Sequence, residues 1–207
     1  PLTLNIGIDN LCKNEFDHYR EKQEPHPLFI ENGIDAVPFK HPDIDEWRNN
    51  FKGIRYISEE HQYNFGGAID DVWEKPNGQL IISDVKTTAK NEFDWEDTYN
   101  KYDYAKGYQR QLEMYQWLFK MNGYDVAPEA YIIYYNGKKN EPLFDKKLKF
   151  DEHVIKLDCS TDWVEEKVIA TANLIRSDEF PKPSSTCENC NYLKKRWELS
   201  QKINNER

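Results

Sequence analysis

The spacing of apolar side chains changes period several times along the chain, and each change marks an element. In residues 4–22, LNIGIDNLCKNEFDHYREK, the positions Leu4, Ile8, Leu11, Cys12 and Phe16 recur at helical spacing and predict a helix. Prolines at 25, 27, 38 and 42 then work against long regular elements and predict an ordered loop region across 24–42. DIDEWRNNF reads as a short helix ended by Gly53. The period next falls to two: IRYISEEH, FGGAIDDVWEK and QLIISDVKTT read as three strands, with PNG as the turn between the last two. Across 103–122, Tyr108, Leu112, Tyr115, Leu118 and Phe119 return to helical spacing, and Gly123 is a natural stop. EAYIIYYN is another strand by its β-branched and aromatic content, and LKFDEHVIKLD alternates like an edge strand. DWVEEKVIATANLIRS is an amphipathic helix opened by an Asp cap. From Asp178 onward the chain reads as a Pro- and Cys-containing tail.

This order predicts an α/β domain with a mixed central β-sheet flanked by helices, because a long helix joining the third and fourth strands makes a crossover. At 207 residues one domain is the economical reading, over 1–180, with 181–207 as the tail. Charged residues make up 31% and the mean hydropathy is -0.93, which predicts a wet surface, while 14% aromatics supply a core. Apolar runs fall far short of the roughly 20 residues that span a bilayer. No charged-then-apolar leader opens the chain, so neither membrane insertion nor secretion is expected. Four cysteines at irregular spacing do not suit a disulfide-stapled secreted fold, which points to a reducing cytoplasmic setting. The first residue is Pro1 rather than Met, so processing or trimming of the N-terminus is expected. The net charge of -9 argues against a sequence-blind polyanion binder held by bulk charge. It leaves room for a cleavage site with acids at the centre and bases at the rim.

The hairpin GGAIDDVWEKPNGQLIISDVKTT carries acids where strand residues should be apolar. A buried carboxylate costs several kcal/mol unless it is paired or holds a metal. Residues two apart share a strand face, so Asp84 and Lys86 point the same way, together with Ile82 and Thr88. On the preceding strand Ala68, Asp70 and Val72 form one set and Ile69, Asp71 and Trp73 the other. Either Asp70 or Asp71 therefore faces Asp84, but not both. Two carboxylates a few ångströms apart repel unless a cation lies between them, and hard oxygen ligands suit Mg²⁺. A lysine one residue beyond is placed to stabilise a reacting phosphate or to activate water. The plainer reading makes these acids solvent-facing residues beside a turn, with Lys86 merely paired to one of them.

In order and on the right element types, the chain then presents Gly67 to Asp70, Asp84-Val85-Lys86-Thr87 and Gln111 to Tyr115. This set resembles the RecB-like branch of the PD-(D/E)XK nuclease superfamily, with Gly-x-x-Asp, Asp-x-Lys-Thr and Gln-x-x-x-Tyr carried by about residues 53–135. The stretches GIDAVPFKHPDIDEWRNNFKGI and YQWLFKMNGYDV look like an uncharacterised bacterial PD-(D/E)XK subfamily. The resemblance implies a restriction-endonuclease-like core and metal-dependent hydrolysis of DNA phosphodiesters, single-stranded or end-containing, in repair, recombination or defence. It implies that Asp70, Asp84 and the Val85 carbonyl bind Mg²⁺ or Mn²⁺ and that Lys86 acts on the water or phosphate, with Asp71 the fallback for Asp70. Gln111 and Tyr115 would orient the site or contact the strand, although a Tyr on such a helix face also suits a core. The family's first helix supplies a His or Glu to the metal; here Asp9 stands in its place, with Glu15 further along. His61 precedes the motif strands. The rival readings are a catalytically silent nucleic-acid-binding relative and a non-nuclease α/β protein with surface ion pairs.

Cations also flank the motif. Lys90, Lys101, Lys106 and Arg110 lie between the motif strand and motif helix, interleaved with Trp95, Tyr99, Tyr102 and Tyr104, which suits phosphate contacts and base stacking. Packed aromatics and solvated lysines would use the same letters. Cys187 and Cys190 form half a metal knuckle, whereas zinc or an iron–sulfur cluster takes four ligands. The iron–sulfur members place a last cysteine six residues after the second, and that position here is Arg196. Relatives of the subfamily carry an extra cysteine pair upstream of the first helix, so a cluster at Cys187 and Cys190 is expected in a longer form rather than in this chain. Cys12 reads as core packing, and Cys159 has no evident partner.

Overall fold

Residues 3–205 are described in the computed structural model. Helix α1 (Thr3–Lys22) is followed by α2 (Pro27–Glu31), a two-residue strand β1 (Val37–Pro38) and α3 (Ile44–Trp47). Strands β2 (Ile54–Ser58) and β3 (Tyr63–Gly67) precede β4 (Asp71–Glu74) and β5 (Leu80–Thr88). Helices α4 (Trp95–Lys101) and α5 (Asp103–Met121) lead to β6 (Glu129–Gly137) and β7 (Phe150–Asp158), and α6 (Val164–Arg176) and α7 (Glu188–Asn205) follow. Contacts divide the chain into a unit Pro1–Val168 and a unit Ile169–Arg207.

The central sheet has the order β1-β4-β5-β6-β7. Only β5 and β6 run parallel, and the α4–α5 crossover between them makes that possible. This is the mixed sheet flanked by helices that the sequence predicts, with β7 at one edge. The turn Lys75–Gly78 joins β4 to β5: Gly78 N–H donates to Lys75 O at 2.9 Å, and Gly78 takes a φ of 84° that a side chain would resist.

Strand alternation sorts the sheet residues onto two faces. Trp73, Ile81, Tyr131 and Ile133, with Val85 and Tyr135 at the margin, pack on Phe16 of α1 and on Leu28 and Phe29 of α2. Each such side chain contributes roughly 1.5–3 kcal/mol by leaving water. The opposite face carries Val72, Ile82 and Ile132 and meets α5, whose Leu112, Leu118 and Phe119 are buried. Asp84 and Lys86 belong to this second face.

Two expectations from the apolar pattern need correction, and two helices, α4 and α7, lie where it predicts no element. The proline-rich stretch 24–42 holds α2 and β1, because Pro27 sits in the first turn, where its missing N–H is harmless, and the His26 ring accepts from Leu28 N–H at 3.1 Å. Pro38 is tolerated because β1 is an edge strand. FGGAIDDVWEK is not one strand: β3 pairs with β2 in a separate two-stranded sheet, and the chain breaks across 68–70 before β4. Helix α3 catches that break, since Trp47 O accepts Ile69 N–H and Arg48 Nε donates to Asp70 O, both at 3.1 Å. The segment after Lys90 forms α4, capped by the Asp94 carboxylate on Asp97 N–H at 2.7 Å. The tail is largely helical, as α7, within the unit Ile169–Arg207.

Candidate active site

The register of β4 against β5 pairs Asp71 with Ser83 and Val72 with Ile82. Asp71 thus belongs to the face of Ser83, while the alternation through Val72 places Asp70 on the face of Asp84. Asp71 is occupied elsewhere. Arg20 Nη2 donates to both its oxygens at 2.7 and 2.9 Å, and Arg48 Nη2 donates to Oδ2 at 2.7 Å. Asp17 takes the remaining Arg48 donor at 2.8 and 3.0 Å, so the ionic cluster ties α1, the end of α3 and the start of β4 together. With Arg48 also on the Asp70 carbonyl, the cluster fixes the break from which the Asp70 side chain projects.

Asp70 Oδ2 accepts Val85 N–H at 2.8 Å, which brings the carboxylate onto β5 beside Asp84. Asp84 is 2% exposed. Lys86 Nζ forms an ion pair with Asp84 Oδ2, and nothing else among the described residues satisfies this buried oxygen. Burial, reinforced by the Asp84 charge, pushes the Asp70 carboxyl up to about 7, against the opposing pull of Val85 N–H, Lys86 and Lys13. Burial also raises Asp84, opposed by Lys86. Burial works against the Lys86 charge, but Asp84 and Asp70 outweigh it and hold the ammonium above its ordinary value. The result is two desolvated carboxyls and one cation on one sheet face, an arrangement that surface ion pairs do not describe.

Helix α5 walls the cluster. Gln111 Nε2 donates to Tyr115 OH at 2.7 Å, and burial pushes the Tyr115 phenol up to about 12, with Asp84 and Asp70 adding to the rise. The ring lies so close to β3 that a Cβ on Gly67 would fall 2.5 Å from Tyr115 Cε1. Glycine at the start of Gly-x-x-Asp therefore lets the helix approach the strand break. A cavity of about 280 Å³ opens beside these residues, lined by Gly66, Gly67, Gly107, Arg110, Gln111 and Tyr115 among others. The Lys86 ammonium lies 4.7 Å from the Tyr108 ring centroid.

The other candidates sit as follows. Asp9 on α1 reaches the cluster through Lys13, whose Nζ is 2.7 Å from Asp9 Oδ2 and 3.8 Å from Asp70 Oδ1. Glu15 turns to His26, 3.5 Å away. His61 lies in the β2–β3 turn beside Tyr63. Lys90 donates to Thr98 Oγ1 at 2.9 Å and covers the Tyr102 ring. Arg110 is exposed on the rim of the α5 cavity. In the unit Ile169–Arg207, Cys187 and Cys190 are disulfide-bonded to each other. Cys12 is buried, as a core thiol should be. Among the described residues no three His, Cys, Asp or Glu side chains gather as a metal cage, and no helix is long and apolar enough to cross a membrane.

Sequence reasoning missed Lys13, Tyr108 and the Arg20–Arg48 clamp. Lys13 carries one faint signal, its i,i+4 spacing from Asp9 on α1. The clamp has none, since its members lie 51 and 23 residues from Asp71.

A mixed sheet flanked by helices, with one parallel pair at its centre, is consistent with a restriction-endonuclease-like fold. The model of the PD-(D/E)XK nuclease superfamily matches residues 9–194, and the chain belongs to that family. Its members are nucleases, hydrolases of nucleic acid that generally use divalent metals such as Mg²⁺ or Mn²⁺. Among solved structures, the crystal structure of SSO0001 matches at 14% identity and a TM-score of 0.34, over 60% of this chain and 48% of that one. This chain thus spans about half the length of that protein. No curated protein matches it.

Proposed function

We propose that the chain is a metal-dependent deoxyribonuclease of the RecB-like branch, acting on single-stranded or end-containing DNA in repair, recombination or defence. The observation that carries this reading is the half-buried Asp70 beside the fully buried Asp84 on one sheet face, with Asp84 Oδ2 satisfied, among the described residues, by nothing but the Lys86 Nζ against it. Neither carboxyl is comfortable as an anion there, and a divalent cation relieves both.

Asp70, Asp84 and the Val85 carbonyl would hold Mg²⁺ or Mn²⁺, with Asp9 as a further oxygen within reach of Lys13. The donors are hard oxygens, which suits either ion. When bound, the ion supplies Lewis-acid polarisation of the phosphate and an acidified water. The chain's own residues do the rest. Lys86 is a protonated donor in its resting state, and freed from Asp84 its ammonium can donate to a phosphate oxygen and steady the charge that builds up there. Gln111 holds the Tyr115 phenol, which stays protonated at neutral pH and serves as a donor rather than a base. Arg110 would meet substrate phosphates from the cavity rim, and Lys90 covers the Tyr102 ring.

The test is a digestion panel in Mg²⁺ and in Mn²⁺ on labelled single- and double-stranded DNA and RNA, comparing wild type with Lys86→Met. Cleavage by wild type, reduced at least about a hundredfold in the variant, supports the reading. Equal cleavage by both proteins overturns the site. No cleavage by wild type, with DNA still bound, identifies a silent relative.

A further inference from the structure

A row of aromatic rings runs out from the carboxylate cluster along the start of α5. Lys86 Nζ lies 4.7 Å from the Tyr108 ring, the Tyr104 ring is 5.6 Å from Tyr108, and the Tyr102 ring is 5.3 Å from Tyr104 at an interplanar angle of 21°. Lys90 and Lys101 approach the outermost ring at 5.3 and 5.4 Å. The inner ring, Tyr108, is half-buried, and the two outer ones are exposed, Tyr104 at 41% and Tyr102 at 37%.

Core packing does not account for the outer rings. Tyr104 and Tyr108 are i,i+4 neighbours on one helix face, and Tyr102 precedes the first turn, so local geometry brings the three together. Local geometry does not require aromatics at exposed positions. Trp95 and Tyr99, which the sequence groups with them, turn inward. Tyr99 OH donates to Gln109 Oε1 at 2.6 Å, and Trp95 packs towards Tyr134 at 6.4 Å. What remains outside is a ladder of rings with Lys90 and Lys101 against its outermost member, Tyr102. Stacking faces interleaved with phosphate-binding cations are the chemistry that holds single strands without regard to sequence.

We propose that Tyr102, Tyr104 and Tyr108 form a stacking platform for the bases of single-stranded nucleic acid, leading the strand to Lys86. The platform rests on the nuclease reading only for where the strand goes; the stacking itself needs no metal. A paired duplex keeps its bases stacked inside and cannot offer them to protruding rings without unpairing.

The test is fluorescence anisotropy in EDTA with roughly 15-nucleotide oligothymidylate and oligouridylate, a length near the usual single-strand site size, and a blunt DNA hairpin. Tyr102→Ala/Tyr104→Ala is expected to weaken single-strand binding about tenfold or more and hairpin binding far less. Tyr104→Phe and Tyr104→Trp retain affinity, because the ring face rather than the hydroxyl does the binding. Both positions are exposed, and circular dichroism confirms that the variants fold. Loss with oligothymidylate alone assigns DNA; loss with both probes assigns single strands generally. Unchanged affinity in the double variant, equal loss on the hairpin, a Phe variant as weak as Ala, or no single-strand binding by wild type overturns the platform. Because no metal is present, these results stand apart from the Lys86→Met digestion, which alone decides the nuclease reading.

Discussion

Replacing Asp70 by asparagine should stabilise the metal-free protein at neutral pH, although the residue is central to the proposed site. The Asp70 side chain is 24% exposed and is confined beside Asp84. Burial first, and the Asp84 charge second, raise its carboxyl from 3.8 to about 7. The folded chain therefore holds a proton that the unfolded chain releases from about pH 4 upward. Its stability is complete below that range and falls as pH rises towards 7, where the folded carboxyl finally ionises too. At about 1.4 kcal/mol per pH decade, a rise of about three decades amounts to about 4 kcal/mol, of which about 2–3 kcal/mol falls between pH 5 and 8. Asparagine removes the ionisation and keeps an oxygen that can accept Val85 N–H. Urea denaturation in EDTA across that interval should show wild type losing ground to Asp70→Asn by this amount. Mn²⁺ at a hundred times its Kd should recover most of that loss in wild type, since it stabilises its binder by about 2.7 kcal/mol, and should leave Asp70→Asn little changed. Parallel pH profiles for the two proteins in EDTA, or an Asp70→Asn protein less stable than wild type at pH 8 without metal, would refute the reasoning.

Other substitutions separate the parts of the site. Gly67→Ala forces the Tyr115 ring away from a Cβ 2.5 Å distant; a penalty of about 1–3 kcal/mol is expected in denaturant melts, and it should largely vanish in a Tyr115→Ala background. Asp71→Ala strands two buried guanidiniums and should cost about 3–5 kcal/mol in thermal melts in EDTA, where Asp70→Asn instead stabilises. Burial lowers the His26 imidazole below its ordinary 6.5. Its contribution is therefore present above about pH 6.5 and lost below, and His26→Gln should flatten the melting temperature over pH 5–7.

Much of this arrangement was legible in the sequence because strand and helix periods are local properties. Asp84 and Lys86 share a face by alternation alone, and Gln111 and Tyr115 share one by helical spacing. The choice between Asp70 and Asp71 was not legible, because it depends on register and on Arg20 and Arg48, partners 51 and 23 residues from Asp71 that no periodicity connects. The break at 68–70 escaped notice for the same reason: FGGAIDDVWEK alternates like one strand, and only α3 shows why it is two. Prolines at 25 and 27 read as helix breakers, yet Pro27 opens α2, since the effect of proline depends on its place in the turn. Trp95, Tyr99, Tyr102 and Tyr104 look alike in sequence, and their inward or outward direction is set by Gln109 and Tyr134.

The central claim is that Asp70 and Asp84 share a divalent ion. An anomalous difference map from a crystal soaked in Mn²⁺ tests it directly. The account predicts a peak at coordination distance, about 2–2.5 Å, from a carboxylate oxygen of each residue, with Lys86 withdrawn from Asp84. A map with no peak there, or with manganese bound only at acids elsewhere on the chain, would contradict it.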